Sequence, residues 1–401
     1  MKAERDVAAT VRLATEVGRR RLATRAQLGS ALERKPPTIT GYVNTLRAAG
    51  VLAKEDVHFK GDPSGYLQLE NDLYSIIGME VHHNGAQVVL CGAAYKQLRP
   101  VTEFEVKDIE QPREVLTKLG RESDLLLRAA RVPAERPLAF GLALPAPVDR
   151  PAGRTASPQI LPAWSSFEPA SVLAHYLDQR GWTAKGLVNN DASLGALGMR
   201  VLDAPIGRGQ FKTPLVYVRV TDGVGAGVAT HLGLLDGARG LAGEIGHLKM
   251  DERGPLCARC GGVGCLETLA SNRAILDKLR GRGILENDAR ATIADVIDSS
   301  HPACSRALRD AGWQIGRALA HLTNLLNPAD VVIGGEVSRS EPFLDWVCRA
   351  LRRDALPEAQ PNVRPAPPGP LSPELAGALA DAGTRKLLHA TVSARVREHL
   401  S

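Results

Sequence analysis

The stretch Leu241-Ala-Gly-Glu-Ile-Gly-His247, with the turn Cys257-Ala-Arg-Cys260-Gly-Gly-Val-Gly-Cys265-Leu-Glu267 after it, gathers thiols, an imidazole and carboxylates in a glycine-rich frame. Three of the six cysteines of the chain lie in this turn. Glycines between them let the backbone fold back tightly enough for several sulfurs to face one ion, so the spacing is that of metal ligands. Cys91, Cys304 and Cys348 stand singly and read as buried reduced thiols rather than as a disulfide framework.

Around this stretch, short apolar runs alternate with helical ones. The runs at 74–79, 88–91, 138–144, 187–189, 215–220 and 331–333 predict strands, and strands alternating with helices imply α/β units. The loops between them carry candidate chemistry. Gly141-Leu-Ala-Leu-Pro-Ala-Pro-Val-Asp149 and Ser157-Pro-Gln-Ile-Leu-Pro-Ala-Trp164 are stiffened by proline and each suits a pocket wall. Asn190-Asp191 falls where a strand passes into a helix, a place where loop carboxylates meet ligands in α/β folds, although Asp191 reads equally as a helix cap. Asp222-Gly-Val-Gly-Ala-Gly227 reads as a glycine loop able to cradle an anion, a weak signal alone.

A chain of 401 residues with 44% apolar content implies two or three ordinary globular domains. Residues 1–60 hold twelve Lys or Arg against six Asp or Glu, a surplus of +6 that equals the balance of the whole chain, 50 minus 44. The remainder is neutral. A basic surplus confined to a small N-terminal unit points to an anionic polymer, because each phosphate neutralised releases counterions. The first residues lack an apolar core segment and nowhere do about 18 apolar residues run uninterrupted, so a cytoplasmic location without a membrane is expected.

Within that unit, Val7, Val11, Ala14 and Val17 form a helical stripe, and Thr24-Arg-Ala-Gln27 has the capping-box pattern for a second helix. After Pro36-Pro37, residues Ile39, Val43 and Leu46 recur at helical spacing and leave Thr38, Thr40, Gly41, Asn44 and Thr45 facing outward. A polar stretch up to Leu69 suits a two-stranded wing. This is the layout of a winged helix-turn-helix, with Thr38, Thr40 and Asn44 toward base edges and Arg25, Arg34, Lys35 and Arg47 placed for phosphates. A three-helix protein-interaction module is the alternative, and the basic surplus favours DNA.

The order Gly141…Pro145-Ala-Pro-Val-Asp149, Asn190-Asp191, Asp222-Gly-Val-Gly-Ala-Gly227, Gly243-Glu244-Ile-Gly246-His247, Gly264-Cys265-Leu-Glu267 and Asn324-Leu-Leu-Asn327-Pro328…Gly334-Gly335 resembles the ROK family of repressors and sugar kinases over nearly the whole chain. With the head in front, it resembles regulators of the N-acetylglucosamine/xylose repressor type. The resemblance implies an α/β body with a two-lobed hexokinase/actin-like (ribonuclease H-like) fold behind the winged head. The expected division is a head at 1–70, a first lobe at 71–192 joined by a C-terminal helix at about 383–401, and a second lobe at 193–382. It implies that Asn190, Asp191, Glu244, His247 and Glu267 bind sugar hydroxyls, and that His247, Cys257, Cys260 and Cys265 hold a structural zinc in a closed tetrahedral site.

Several residues depart from the family pattern. Cys-x-Cys becomes Cys257-Ala-Arg-Cys260, still a good zinc spacing. Asp-x-Gly-Gly-Thr of the kinases is replaced by Glu80-Val-His82-His83-Asn84, and Gly-Thr-Gly by Thr221-Asp222-Gly223. Imidazoles and a carboxylate thus stand where backbone amides would approach phosphate. An Asn of the tryptophan loop is Ile160, Ser-x-Ser-Thr-Val of the recognition helix is Lys35-Pro-Pro-Thr38-Ile39, and Gly-Arg-Pro after the wing is Gly61-Asp62-Pro63. Phosphoryl transfer depends on positioned phosphates, so no kinase activity is expected, and Asp191, at the position of the kinase base, is left to bind ligand. The expectation is a repressor whose grip on an operator changes with a sugar, acting as a homodimer or homotetramer. The alternatives are a sugar kinase with an added head, or a regulator that no longer binds sugar.

Overall fold

Thr24 accepts from the Gln27 amide at 3.2 Å, while the Thr24 amide donates to Gln27 Oε1 at 2.9 Å. This reciprocal cap starts α2 (Arg25–Leu32) between α1 (Lys2–Arg20) and α3 (Pro36–Ala48). The strands β1 (Ala23–Thr24), β2 (Val57–Phe59) and β3 (Asp62–Leu67) form an antiparallel sheet in the order β1-β3-β2, so the wing lies where expected. Val11, Ala14 and Val17 are buried as their spacing predicts, and so is Leu13 off that stripe, because α1 is covered on a second side. These coordinates are a computed structural model that describes residues 2–60, 62–83, 85–157, 159–203, 214–285 and 290–400. Gly61, Asn84 and Pro158, each part of a motif above, lie outside the described residues.

The first lobe holds β4 (Ser75–His82), β5 (Gly85–Gly92), β6 (Thr102–Glu105), α4 (Pro112–Ala129), β7 (Leu138–Leu144), the small hairpin β8 (Val148–Asp149) with β9 (Arg154–Thr155), α5 (Pro169–Asp178) and β10 (Ala184–Asn190). Next comes α6 (Asp191–Asp203). The second lobe holds β11 (Leu215–Val220), β12 (Val224–Thr230), β13 (Gly233–Leu234), α7 (Leu266–Ala270), α8 (Asn272–Arg280), α9 (Ile293–Asp298), α10 (Pro302–Leu326), β14 (Asp330–Gly334), α11 (Glu341–Asp354) and β15 (Asn362–Pro365). The chain ends with α12 (Pro373–Ala382), a π-helical turn at Gly383–Leu388 and α13 (His389–Leu400).

The sheets run β10-β7-β4-β5-β6 and β13-β12-β11-β14-β15. In each, the first three strands are antiparallel neighbours and the last two add in parallel beside the first. The lobes therefore share one topology, the two-lobed ribonuclease H-like arrangement, although no sequence repeat reveals it.

Between the sheets lie α6 and α12, pressed backbone to backbone. A Cβ on Gly198 of α6 would stand 1.8 Å from the Pro373 carbonyl oxygen, and one on Gly377 of α12 would stand 1.8 Å from the Leu194 carbonyl oxygen. The packing redraws the expected division. Helix α12 rests on β4 and β7 of the first sheet, where Gly141 lets the Ala378 carbonyl approach, rather than closing the second lobe. Helix α13 packs along α1 of the head rather than on the first-lobe sheet. Head residues Leu13, Val17, Leu28 and Val43 consequently share one apolar core with Leu379, Leu388 and Val392. Fully burying each such side chain contributes about 2 kcal/mol, which ties the head to the body.

Candidate functional site

Strand β10 ends at Asn190 and α6 begins at Asp191, at the junction of the lobes. Asn190 does the capping. Its Oδ1 accepts from the Ser193 amide at 3.0 Å, and its Nδ2 donates to the Ala146 carbonyl at 3.2 Å. Asp191 Oδ1 accepts from the Ala192 amide at 2.7 Å, and Asp191 Oδ2 lies 3.0 Å from Arg219 Nε. Arg219 comes from β11, and its Nη1 also reaches Glu80 of β4 at 3.0 Å and Glu374 of α12 at 2.6 Å. Ser372 and Tyr217 donate to Glu80 and Glu374 at 2.7 Å each.

A buried guanidinium needs compensation worth several kcal/mol, and here three buried carboxylates surround one cation. The negative excess has a visible consequence. Burial, set against the pull of Arg219, raises Glu80 to about 7 and raises Asp191 as well, while the carboxylates hold Arg219 firmly charged. A cleft open to solvent lies beside this cluster. Pro145, Ala146, Pro147 and Ile160 form an apolar wall, and Asn190, Asp191, Glu244, His83 and Arg259 supply polar groups. Burial, with the nearby Asp191 and Glu267 carboxylates, raises Glu244 to about 7. Burial lowers His83.

Of the residues expected to bind sugar, Asn190, Asp191 and Glu244 line the cleft. Glu267 lies just behind, buried in the first turn of α7, with Arg259 Nη1 3.2 Å from its Oε2. His247 turns Nδ1 toward Cys257 and Nε2 toward Glu244, 3.9 Å away. It stands at the back of the site.

The ligand atoms of His247, Cys257, Cys260 and Cys265 all lie within 4.8 Å of one another. The Cys260 and Cys265 sulfurs are 3.5 Å apart, and Cys257 Sγ is 3.8 Å from His247 Nδ1. Ligands held about 2.3 Å from a tetrahedral centre stand about 3.8 Å apart, so these residues fit a divalent ion of zinc type. The turn is built for it. The Cys257 amide donates to the Gly262 carbonyl at 2.7 Å, the Gly262 amide points at Cys260 Sγ, and Gly264 has φ of +65° at a place where a Cβ would collide with the Asp251 carbonyl.

One expectation is corrected. Residues 224–227 of the glycine loop are the first part of β12, and only Thr221, Asp222 and Gly223 make the turn, where the Thr221 amide donates to the Gly223 carbonyl at 2.9 Å. Its glycines serve packing: Gly227 admits the Ala192 carbonyl of α6. Arg219, Glu80, Glu374 and Arg259 escaped the sequence reading. The available sign was a lone charge inside an apolar element, as in Leu-Val-Tyr-Val-Arg219-Val and Pro-Glu374-Leu-Ala-Gly-Ala-Leu.

In the head, Lys35, Thr38, Thr40 and Asn44 are exposed on one face of α3, opposite buried Ile39, Val43 and Leu46. Arg25 and Arg47 are engaged instead. Both reach Asp56, at 2.5 Å each, so one carboxylate is shared by the two guanidiniums inside the head. No helix among the described residues is long and apolar enough to cross a membrane.

The xylose repressor of Caldicellulosiruptor bescii is 27% identical over 287 residues, 68% of each chain. The glucokinase of Thermotoga maritima is 29% identical over 270 residues, 61% of this chain and 81% of the kinase. A ROK family transcriptional regulator described as a homolog of E. coli MLC superimposes over 99% of this chain and 100% of its own, with a TM-score of 0.73 and 22% identity, which shows a common fold for head and body together. Residues 105–369, well over half the chain and including the cysteine turn, match the ROK family, and this protein belongs to it.

Proposed function

We propose that this protein is a DNA-binding transcriptional repressor that responds to a sugar and carries a structural zinc. It has no sugar kinase activity. The observation that carries the reading is the Asp191–Arg219 ion pair at 3.0 Å. A base that must take a hydroxyl proton during phosphoryl transfer is here tied to a buried guanidinium, in a site whose phosphate loops carry His83 and Asp222. What remains is a recognition site. Asn190, Asp191 and Glu244 offer acceptors and donors to vicinal hydroxyls, and such a site penalises ligands that lack them. His247, Cys257, Cys260 and Cys265 would hold the zinc, which cross-links the turn, and His247 and Glu267 support the cleft from behind. In the head, Thr38, Thr40 and Asn44 face base edges, with Arg34 and Lys35 toward phosphates. The named relatives include a xylose repressor, which supports the same role here. We further place the protein in the cytoplasm as a homodimer or homotetramer on double-stranded DNA, because a two-fold protein matches a palindromic operator.

Calorimetric titration with D-xylose, D-glucose and N-acetyl-D-glucosamine, paired with an ADP-release assay in Mg-ATP, tests this reading. Heat of binding from one sugar without ADP formation is expected; steady turnover of any of them would overturn it. Ile160 favours a second reading. An apolar side chain stands in the cleft wall where the family has an amide, so the regulator has lost its sugar, and absence of binding heat from all three would select that reading.

A further inference from the structure

Arg219 joins the starts of two helices that both reach the head. Its Nε pairs with Asp191 in the first turn of α6 and its Nη1 with Glu374 in the first turn of α12. The two helices interlock through Gly198 and Gly377, where no Cβ fits, so they move as one body. Their far ends meet the head separately. The Val201 carbonyl of α6 accepts from Arg21 Nη1 at 2.6 Å, in the link between α1 and α2. Helix α12 continues through the π-helical turn into α13, and Leu388 of that turn fills the space over Gly18 of α1. Arg150 anchors the C-terminal end of α12 by its ion pair with Asp381 at 2.9 Å, and also pairs with Asp236 of the second lobe. A π turn between two α-helices is a place where small rotations are absorbed, and functional sites use it often.

From this geometry we infer that Arg219 is a positioning residue that couples the cleft to the DNA-binding head, through Asp191 and α6 on one side and Glu374 and α12 on the other. A ligand hydroxyl that bonds Asp191 competes with Arg219 for that carboxylate. The guanidinium then shifts its share toward Glu80 and Glu374, and the starts of α6 and α12 are held differently. Since the helix pair is close-packed, the change appears at its far ends, at Arg21 and Leu388, as a different seating of α1. An effector shifts an equilibrium only through such a difference in contacts between the two states.

The inference rests on reading the cleft as an effector site, and the test separates the two. The full-length protein is used with a duplex that it selects from a random pool, and with whichever of D-xylose, D-glucose and N-acetyl-D-glucosamine binds. The coupling factor is the ratio of operator affinities with and without saturating sugar. Glu374→Gln keeps a partner for Tyr217 but weakens the hold on Arg219, and Arg21→Met removes the bond to Val201; neither residue lines the cleft or the exposed face of α3. Arg21→Met, remote from the cleft, should keep sugar affinity without DNA, and operator affinity without sugar, within about twofold, while in both variants the coupling factor falls about fivefold or more toward one. Arg21→Lys, which retains a donor, should restore it. A wild-type coupling factor preserved in both variants overturns the inference and leaves the function standing, as does a loss of either separate affinity with coupling intact. A wild type that binds no sugar, or shows no coupling, overturns the function and the inference together.

Discussion

Arg259 Nη1, from the turn that carries the cysteines, lies 3.2 Å from Glu267 Oε2 in the first turn of α7. The turn keeps its cysteines within reach of one ion and directs Arg259 at a carboxylate that we propose supports the sugar site. Arg259→Ala should therefore free Glu267 to accept a sugar hydroxyl. Binding should tighten about fivefold, the equivalent of one net hydrogen bond of about 1 kcal/mol. Weaker binding in calorimetry would show that Arg259 itself contacts the ligand.

Metal removal should be costly. Metal analysis is expected to find one zinc per chain, and chelation or Cys260→Ser should lower the melting temperature and abolish sugar binding. A structural zinc contributes on the order of 10 kcal/mol to a local fold. Absence of metal together with an unchanged melting curve would remove the zinc from the account.

The Arg219 cluster should leave a mark on stability against pH. Glu80 faces Arg219, Asp191, Glu374 and the Ser372 hydroxyl, and burial raises it from 4.5 to about 7. Below about pH 4.5 it is protonated in both states. Between about 4.5 and 7 the unfolded chain has lost a proton that the folded chain keeps, so rising pH favours unfolding; above 7 the effect is complete. The loss is on the order of 3 kcal/mol. Urea unfolding across this range should show a larger loss in the wild type than in Glu80→Gln, where Glu244, also raised to about 7, still contributes, and parallel curves for the two proteins would contradict the assignment.

The single Asp56 carboxylate holds both Arg25 and Arg47 within the head. Asp56→Asn should release both toward phosphates, strengthen binding to any duplex and steepen the slope of log affinity against log salt by about 1 to 2. Thr38→Ala and Asn44→Ala should instead reduce preference for the selected operator and leave that slope alone. An unchanged slope in Asp56→Asn would mean the two arginines never reach DNA.

The winged head was legible because its signals are local: the Thr24–Gln27 cap, the Pro36-Pro37 start and the Ile39, Val43, Leu46 stripe each act within a turn or two of helix. Strands such as Leu138–Leu144 and Leu215–Val220 were legible from apolar runs, and the cysteine turn from its spacing. What could not be read depends on distant segments meeting. Nothing near Glu374 announces Arg219, 155 residues earlier in the chain, and nothing in 389–400 announces that it will cover α1. The residues at 224–227 misled because glycines that serve close packing against α6 look like glycines that cradle phosphate.

The central claim is that a sugar in the cleft changes the hold of the head on DNA. Its most direct test is fluorescence anisotropy of the selected duplex, titrated with protein in the presence of D-xylose, D-glucose or N-acetyl-D-glucosamine at fixed salt. One of these sugars should shift operator affinity about fivefold or more. The same operator affinity with every sugar and without any would contradict it.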